Sequence, residues 1–495
     1  MKEYIVRYKK RFDLVVTIQE EINIYMEFSI RGIGIIKEAD IKMDGLTVIA
    51  GSNNSGKTTV GRALYAVTSA VEDLAEKQQQ DQAMAVFYRI RKIVKPFDGW
   101  LSRSRYLSRE EVASDDLISE VIGINHIFSP EKRDYYMDLL FRLCESMETG
   151  LFVELLIDNL RGVVGNSESA IRNDWEDHKE KILKECLGAR EFVESFQQQT
   201  KKEFAYKMIE ETLAVEFSNQ VQSYITVDEG GISKLEFKNS HKEFYGICIS
   251  ENRILEDKSS FTEGYYDRTY FVDDPYIMED RMTPSYLIAP YGEEKHVRVR
   301  IMSHRDKMRR LMRVSDADRG ISETIYREQE IQNVMKKIDA IVPGKVFRGV
   351  YQTPTGRKLK VENLATGSKV FSIIKKILTS GDLTDKTLLI LDEPESHLHP
   401  SWINQLAEVI VLLVKECNMT VLLTTHSPNF LLAVDALMRK YEIREKCHFY
   451  QTEFEENNQI KYVEKTDCLD NIYADFAASF AEMNALRKKY MDLEE

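Results

Sequence analysis

The chain has 495 residues, of which 43% are hydrophobic and 30% are charged, and its formal net charge is −13. This length favours two or three structural units with a sizeable core. The acidic balance argues against nucleic-acid binding driven by overall charge, although a local basic patch stays open. The six cysteines form no CxxC pair, which argues against a disulfide framework and a zinc ribbon. Without an apolar run of about 18 residues or a secretory h-region, we expect a cytoplasmic protein with no membrane partner.

The first half of the chain predicts strands, then a helical lobe, then strands again. Short strands lie within residues 22–50, ending with "LTVIA", and a helix follows from about Thr58. Residues 76–215 are charged, poor in proline and mostly helical in pattern, without the sustained heptads of a coiled coil. Residues 216–275 are strand-like, and a basic helical stretch follows over roughly 295–340.

The last third of the chain alternates helices and strands. A hairpin is predicted around residues 354–356, and the predictions that follow are helix 367–379, strand 387–391, helix 401–416, strand 419–425, helix 428–441, a second hairpin and helix 471–490. The runs "TLLIL" and "TVLLTT" are typical of buried parallel strands. We therefore expect an α/β domain (the head) that is split by a long, mainly helical insertion. Its expected parts are 1–75 (N-terminal part of the head), 76–335 (helical insertion with some strands), 336–445 (C-terminal part of the head) and 446–495 (hairpin and helix).

The segment "GSNNSGKT", Gly51 to Thr58, matches the phosphate-loop pattern GxxxxGK[ST] between a predicted strand and a predicted helix. The glycines let backbone amides wrap phosphates, and the helix N-terminus adds positive potential. Lys57 can reach the β- and γ-phosphates, and the Thr58 hydroxyl can ligate Mg²⁺. The alternative is a chance match of a glycine-containing turn, which the flanking strand and helix disfavour.

The segment "TLLILDEPESHLHP" brings two acids to the carboxyl end of an apolar strand, where α/β sheets place their ligands. Asp392 is predicted to hold Mg²⁺, and Glu393 to orient and deprotonate the attacking water. The alternative is that the acids cap the helix that begins near Ser401, which leaves the proline and histidines of the segment unexplained.

Three histidines lie near these acids in sequence. His426 ends the strand "TVLLTTHSPNF", and we expect it at the level of the γ-phosphate, where it would hydrogen-bond the phosphate or the attacking water. A purely structural role at a strand end is the alternative. His397 and His399 supply only half of a metal site, so we interpret them as loop residues beside the active site.

The segment "LATGSKVFSII" places Lys369 in the first turn of a predicted helix. The helix dipole disfavours a cation there by about 0.3–1 kcal/mol. This position indicates a negative group that docks at the helix start. A lysine that simply points to solvent is the alternative.

The order of these segments resembles the ABC-class ATPase head, in the branch of RecF, the Rad50 and SMC heads and the OLD-type ATPases (AAA-15 or AAA-21 type). The "GxNxSGK" and "DEPExHLHP" forms of the motifs are typical of that branch, and the resemblance covers about residues 22–75 and 340–445. Within the branch, the chain is similar to stand-alone ATPases of bacterial anti-phage defence. The Septu and retron-associated PtuA type comes first, and the PARIS ATPase AriA second.

The resemblance implies ATP and Mg²⁺ as cofactors, bound in a sandwich between two copies of the chain or in a higher oligomer. It implies an ATP-binding set of Gly51, Asn53, Asn54, Ser55, Gly56, Lys57, Thr58 and Thr59. It implies a signature that contacts the partner's ATP, formed by Ala365, Thr366, Gly367, Ser368 and Lys369, and a D-loop with Ser396, His397 and His399. It implies Mg²⁺ at Thr58 and Asp392, with Glu393 as catalytic base and His426 as switch histidine.

Two departures from the family pattern concern the signature and the Q-loop. Ala365 stands where a serine is usual, so Thr366 or Ser368 would supply the hydroxyl. No Q-loop glutamine is found, and the strand "RTYFVDDPYIMED" is the candidate for that position, with Asp273 or Asp274 at its end.

Residues 295–313 form a basic stretch with eight Lys or Arg and one acid. Such a stretch can bind nucleic-acid backbone, dock an acidic partner or contact the chain's own acidic lobe.

Together these features predict an ATPase that assembles on ATP and gates a separate effector in anti-phage defence. The expected effector is a nuclease chain of HNH or TOPRIM type, with no nuclease domain in this chain. The alternative is a RecF/Rad50-like repair ATPase that binds DNA directly, which the acidic charge and the missing coiled-coil arms disfavour. A transporter's energising subunit is a third interpretation, and the long insertion argues against it.

Overall fold

The computed structural model describes residues 25–104, 117–124, 129–160, 168–196, 198–225, 230–279, 301–313, 321–455 and 459–491. These residues group into two compact units. The first combines residues 25–72, 206–279 and 302–491, and the second combines residues 73–205 with residue 301.

The strands in the described part of the chain form two sheets, both in the first unit. Their bounds are β1 (Glu27–Ile33), β2 (Ile36–Lys42), β3 (Leu46–Ala50), β4 (Ser233–Lys238), β5 (Glu243–Ser250), β6 (Arg253–Ile254), β7 (Ser260–Phe261), β8 (Arg268–Val272), β9 (Lys345–Phe347), β10 (Val350–Gln352), β11 (Lys358–Lys360), β12 (Thr387–Asp392), β13 (Thr420–Thr425), β14 (Cys447–Phe454) and β15 (Ile460–Glu464). A twelve-stranded sheet has the order β6-β5-β4-β1-β2-β15-β14-β3-β13-β12-β8, with β7 paired to β5. The second sheet has three strands in the order β11-β10-β9.

The large sheet has an antiparallel half and a parallel half. The strands β5, β4, β1 and β2 pair antiparallel, whereas β14, β3, β13, β12 and β8 are all parallel neighbours. Every residue of β3 is buried, as expected for a parallel strand covered on both faces. The carboxyl ends of β3, β13, β12 and β8 therefore meet at one edge of the sheet.

The helices divide between the two units. Their bounds are α1 (Lys57–Val71), α2 (Leu74–Val94), α3 (Asp98–Ser104), α4 (Leu117–Ile124), α5 (Arg133–Thr149), α6 (Leu151–Leu160), α7 (Glu168–Ser195), α8 (Lys201–Glu216), α9 (His304–Leu311), α10 (Ile321–Ile341), α11 (Thr366–Leu378), α12 (Pro400–Cys417), α13 (Pro428–Lys440) and α14 (Asp470–Met491). Helices α1 and α9–α14 belong to the first unit, α2–α7 belong to the second, and α8 crosses the boundary between them. Among the described helices, none combines the length and the apolar character that crossing a bilayer requires.

Each unit has its own hydrophobic core. In the first unit, β3, β12 and β13 pack with α11, α12 and α13 through buried aliphatic side chains such as Leu389, Ile374 and Ile410. In the second unit, α2, α5 and α7 pack around Phe87, Leu140 and other buried residues. The apolar spacing of three and four residues along these helices explains why each one buries a single face.

The predicted α/β head with a mainly helical insertion is confirmed. The predicted helices of the last third are present as α11, α12, α13 and α14, each within about two residues, a normal scatter for helix ends. Both predicted hairpins are present, and the first gains β9 as a third strand. The strand-like residues after 230 join the large sheet, so the compact helical unit, 73–205, is shorter than the predicted insertion. The region predicted as basic and helical, roughly 295–340, contains two helices in its described part, α9 and α10.

Candidate functional site

The phosphate loop connects β3 to α1 and is shaped by left-handed backbone. Asn54 has φ 62° and Gly56 has φ 72°, and the first turn of α1 contains no acidic residue. A Cβ atom on Gly51 would lie 2.0 Å from Thr452 Oγ1, so a residue with a side chain does not fit there. The hydroxyl of Ser55 is buried without a hydrogen-bond partner in the described chain. The loop therefore presents backbone amides and a free hydroxyl, as a phosphate site requires.

The ammonium group of Lys57 is buried within this loop, with the residue 4% exposed. It donates to the carbonyl oxygens of Gly51 at 3.1 Å and Ser52 at 2.8 Å, and lies 3.1 Å from Glu393 Oε1. The lysine thus spans the loop and contacts the carboxylate predicted to be the catalytic base.

Asp392 lies at the end of β12, within reach of two threonine hydroxyls. Thr58 Oγ1 donates to Asp392 Oδ2 at 2.6 Å, and Thr424, which is its partner in the register of β13, donates to the other carboxylate oxygen. Burial raises the pKa of the Asp392 carboxyl, which the two hydroxyl hydrogen bonds oppose. The structure therefore brings the two predicted Mg²⁺ ligands together, on elements more than 300 residues apart in sequence.

Glu393 adopts a backbone conformation that is unusual for a residue with a side chain. Its φ is 48°, and its amide donates to both the carbonyl and the hydroxyl oxygen of Thr424 at 3.1 Å. Such a conformation costs of order 1–3 kcal/mol and persists only where the surroundings enforce it. His426 Nδ1 lies 3.0 Å from Glu393 Oε2, outside hydrogen-bond geometry. The predicted base and the predicted switch histidine are therefore neighbours.

Glu395 is a site residue that the sequence analysis did not single out. It is 3% exposed, its Oε1 accepts a hydrogen bond from Thr425 Oγ1, and its Oε2 is buried without a partner in the described chain. Burial raises the pKa of Glu395 to about 7. Its position in "DEPES", two residues beyond Glu393, is the only sequence signal that could have identified it.

The signature segment forms a second cluster, around Tyr276. The Tyr276 hydroxyl lies 3.1 Å from Thr366 Oγ1, and the Lys369 ammonium lies 4.8 Å from the centre of the Tyr276 ring. Lys369 is 2% exposed and pairs with Glu279, so it neither points to solvent nor presents a free charge. The negative group that balances the Lys369 charge in the first turn of α11 is therefore Glu279 of the same chain.

The remaining residues of this cluster have mainly structural contacts. Gly367 lies against Trp402, since a Cβ atom there would be 2.7 Å from the indole ring. His397 packs edge-on against Tyr276 at 6.0 Å, and His399 accepts the Ser401 amide at the start of α12. The two predicted D-loop histidines thus have structural partners at these positions.

The strand predicted to occupy the Q-loop position is β8, and it pairs parallel with β12. Asp273 follows β8 at the edge where Asp392 lies, with its carboxylate 3.0 Å from His304 Nε2 and 2.7 Å from Arg305. Burial opposes ionisation, but these partners lower the pKa of Asp273 to about 2. The other ring nitrogen of His304 lies 2.6 Å from Glu216. Asp273 is thus a carboxylate held in place beside Asp392, the predicted Mg²⁺ ligand.

The predicted basic stretch is described only for residues 301–313, and residues 295–300 lie outside the described chain. Three of its cations form ion pairs: Arg305 with Asp273, Lys307 with Glu72 and Arg309 with Asp306. These ion pairs neutralise three of the eight cations that the sequence suggested for nucleic-acid binding.

The phosphate loop lies close to Lys57, Asp392, Glu393 and His426, and together they form the first cluster. This cluster lies at the carboxyl edge of a parallel sheet, as in a phosphate-loop nucleotide site. The AAA ATPase domain family, AAA_15, matches residues 26–431, and the chain belongs to this family. The site is accordingly that of an ATPase.

Solved structures that are similar to the chain include three SMC heads, each at low sequence identity. The SMC head domain from Thermotoga maritima has a TM-score of 0.31 and 9% identity, over 90% of this chain and 99% of that chain. An Smc head with an extended coiled coil, bound to the C-terminal domain of ScpA from Pyrococcus furiosus, has a TM-score of 0.28 and 11% identity, over 89% and 96%. An Smc head with a coiled coil and joint from Pyrococcus yayanosii has a TM-score of 0.32 and 10% identity, over 92% and 99%. No curated protein sequence matches the chain.

Proposed function

We propose that the chain hydrolyses ATP at the first cluster, and the observation that carries this proposal is the Lys57–Glu393 ion pair, 3.1 Å long. In this pair the charges of the lysine and the base neutralise each other. An incoming triphosphate gives the Lys57 ammonium a new anionic partner, which releases the Glu393 carboxylate to accept a proton from water. Nucleotide binding itself would therefore activate the base.

The oxygen atoms of Thr58 and Asp392 fit a magnesium ion. Mg²⁺ prefers hydroxyl, carboxylate and phosphate oxygens, and these two side chains already meet at 2.6 Å. Burial raises the pKa of the Asp392 carboxyl. A cation bound beside it would oppose this effect, because an opposite charge favours the ionised form. Bound Mg²⁺ would neutralise charge that develops on the phosphate oxygens.

The chain's own residues would then act as follows. Water attacks the γ-phosphorus, the bond to the leaving ADP oxygen breaks, and the water proton passes to Glu393 and on to the released phosphate. The amide hydrogen bonds to Thr424 fix the backbone of Glu393. The side chain of His426, which is 41% exposed, lies beside the Glu393 carboxylate. We assign His426 to the contact with the γ-phosphate or the attacking water.

We further propose that ATP drives assembly of two or more copies of the chain through the signature segment. Thr366 and Ser368 are partly exposed at the start of α11, where first-turn amides favour an anion. These hydroxyls, rather than the buried Lys369, are the better candidates for a contact with a partner's nucleotide. The assembled ATPase would gate a separate effector, a nuclease of HNH or TOPRIM type, in anti-phage defence, a role supported by the motif resemblance.

The catalytic part is tested with Lys57→Ala and Glu393→Gln. Lys57→Ala should abolish ATP binding, whereas Glu393→Gln should bind ATP, lower phosphate release about 10²–10⁴-fold and accumulate an ATP-bound assembly in light scattering. Glu445→Gln, a change at an exposed glutamate, should behave as wild type. Normal turnover in Glu393→Gln would overturn the assignment of the base.

The effector part is tested separately by affinity purification of Glu393→Gln from its native host with ATP. Recovery of a nuclease chain supports the gate. Recovery of DNA without a nuclease favours the RecF/Rad50-like repair role, and would leave the ATPase assignment intact.

A further inference from the structure

The small sheet β9–β11 carries a concentration of positive charge that the proposed ATPase does not use. Residues 345–360 contain five cations and no acid, in a chain with a net charge of −13. The five are exposed, and they are Lys345, Arg348, Arg357, Lys358 and Lys360. Within the described chain none of these side chains has an ion-pair partner, in contrast to the paired cations of α9.

The strand register gathers much of this charge on one face. Gln352 of β10 stands opposite Lys345 on one side and Lys358 on the other, which forms a row across the three strands. The next row on the same face is Phe347, Val350 and Lys360, because alternate residues of a strand share a face. Strand spacings place Lys345 and Lys358 about 10 Å apart and Lys358 and Lys360 about 7 Å apart at the backbone.

An aromatic side chain lies within this basic face. Phe347 is 41% exposed, and the Arg348 guanidinium lies 4.9 Å from the centre of its ring. Aromatic rings and guanidinium planes are the surfaces on which unpaired bases stack, and cations around them track the phosphates. An acidic peptide would use the cations but would have no need of the ring.

We propose that the exposed face of β9–β11 binds single-stranded nucleic acid, with Lys345, Lys358 and Lys360 at the phosphates and Phe347 against a base. None of these residues belongs to the stretch 295–313.

The sheet is fixed to the signature helix, α11. Lys375 of α11 donates to the carbonyl oxygens of Gly344 at 2.9 Å and Val342 at 3.3 Å, directly before β9. The Tyr351 hydroxyl accepts the Gly344 amide at 2.8 Å, and a Cβ atom on Gly344 would lie 2.3 Å from the Tyr351 ring. A nucleic acid bound on the sheet would therefore contact an element that is hydrogen-bonded to α11, the helix that begins with the segment proposed for ATP-driven assembly.

The experiment is fluorescence anisotropy of the full chain with a labelled, mixed-sequence DNA single strand of about 16 nucleotides, a length within the usual site sizes. The test variant is Lys345→Gln/Lys358→Gln/Lys360→Gln. At about 0.1 M salt it should lose about 100-fold in affinity, and the slope of log K against log salt should fall in magnitude by about 2, since each phosphate contact on a single strand contributes about 0.7. Phe347→Ala should lose about 5- to 150-fold at unchanged slope.

The matched control changes three lysines that are exposed and unpaired in the described chain but lie outside the sheet. It is Lys181→Gln/Lys184→Gln/Lys258→Gln. Both triple variants carry the same net charge, so the control should bind the probe as wild type does. All six positions are at the surface, and wild-type melting temperatures are expected. Lys358→Glu alone provides a second, smaller perturbation, which should lower affinity as well.

Three results would overturn the proposal: equal losses in the two triple variants, no binding of the strand at low salt, or polyglutamate that competes as well per charge as the oligonucleotide. The last would indicate an acidic protein as the occupant. Basal ATPase activity of the sheet variants is expected to match wild type, so a failed proposal here does not bear on the ATPase.

Discussion

Glu395→Gln should remove a pH dependence of stability that the wild-type chain carries. Glu395 is 3% exposed, its Oε1 accepts a hydrogen bond from Thr425, and its Oε2 is buried without a partner in the described chain. Its pKa is raised from 4.5 to about 7 because burial disfavours the charged form. Between about pH 4.5 and pH 7, the folded chain therefore keeps a proton on Glu395 that the unfolded chain has released.

The size and sign of the effect follow from this difference in pKa. Between about pH 4.5 and pH 7 the folded state binds more protons than the unfolded state, so the free energy of unfolding falls as the pH rises. A shift of about 2.5 units corresponds to about 3 kcal/mol over the whole window. The amide introduced by Glu395→Gln would keep the acceptor for Thr425 and cannot ionise, so the variant should gain about 2 kcal/mol relative to wild type on going from about pH 5.5 to above pH 7.

Thermal unfolding at a series of pH values measures this gain as a relative rise in melting temperature of roughly 2–4 °C for the unit that contains the sheet. Other groups titrate in the same range, and they cancel in the difference between the variant and wild type. Glu445→Gln, at an exposed glutamate, should reproduce the wild-type curve. A Glu395→Gln variant that keeps the full wild-type pH dependence would refute the assignment of a buried neutral carboxyl.

Two substitutions and one titration test the packing around the site. Lys369→Met removes a buried charge that pairs with Glu279 and should destabilise the chain by about 1–3 kcal/mol in denaturant unfolding, because the carboxylate is left partly buried. Gly367→Ala brings a methyl group against Trp402 and should cost about 1–3 kcal/mol by overpacking, again in denaturant unfolding; a stable variant would show that the ring can move. His304, whose pKa burial lowers but its two carboxylate partners raise more strongly, should stabilise the fold at low pH and lose this contribution as the pH rises through its folded pKa. NMR titration of the His304 ring checks the direction.

Local sequence patterns predicted most of the fold and most of the first cluster. The phosphate loop, Asp392 and Glu393 lie in short segments whose order already predicts a strand, a turn and a helix, and the parallel register brings their ends together. The position of β8 was predicted only from the resemblance, which gives its strand as the candidate for the Q-loop position, and β8 pairs with β12.

The remaining features depend on contacts between distant residues, which sequence patterns do not reveal. Lys369 appeared as an unexplained cation because its partner Glu279 lies 90 positions away. Counting charges favoured residues 295–313, yet Lys307 pairs with Glu72 from the other side of the insertion. Glu395 is unremarkable in sequence, and only its burial makes it titrate near neutrality.

The position of β3 has a consequence for synthesis of the chain. Its two neighbours are β13 and β14, and the first of them begins roughly 370 residues after β3 ends. At translation rates of about 5–20 residues per second, both edges of this apolar strand stay unpaired for roughly 20–75 s. The helical unit is complete long before then and depends on local contacts. Unpaired apolar strands are templates for aggregation, so the nascent chain should need chaperones most after the helical unit has emerged and before residues 420–454 leave the ribosome.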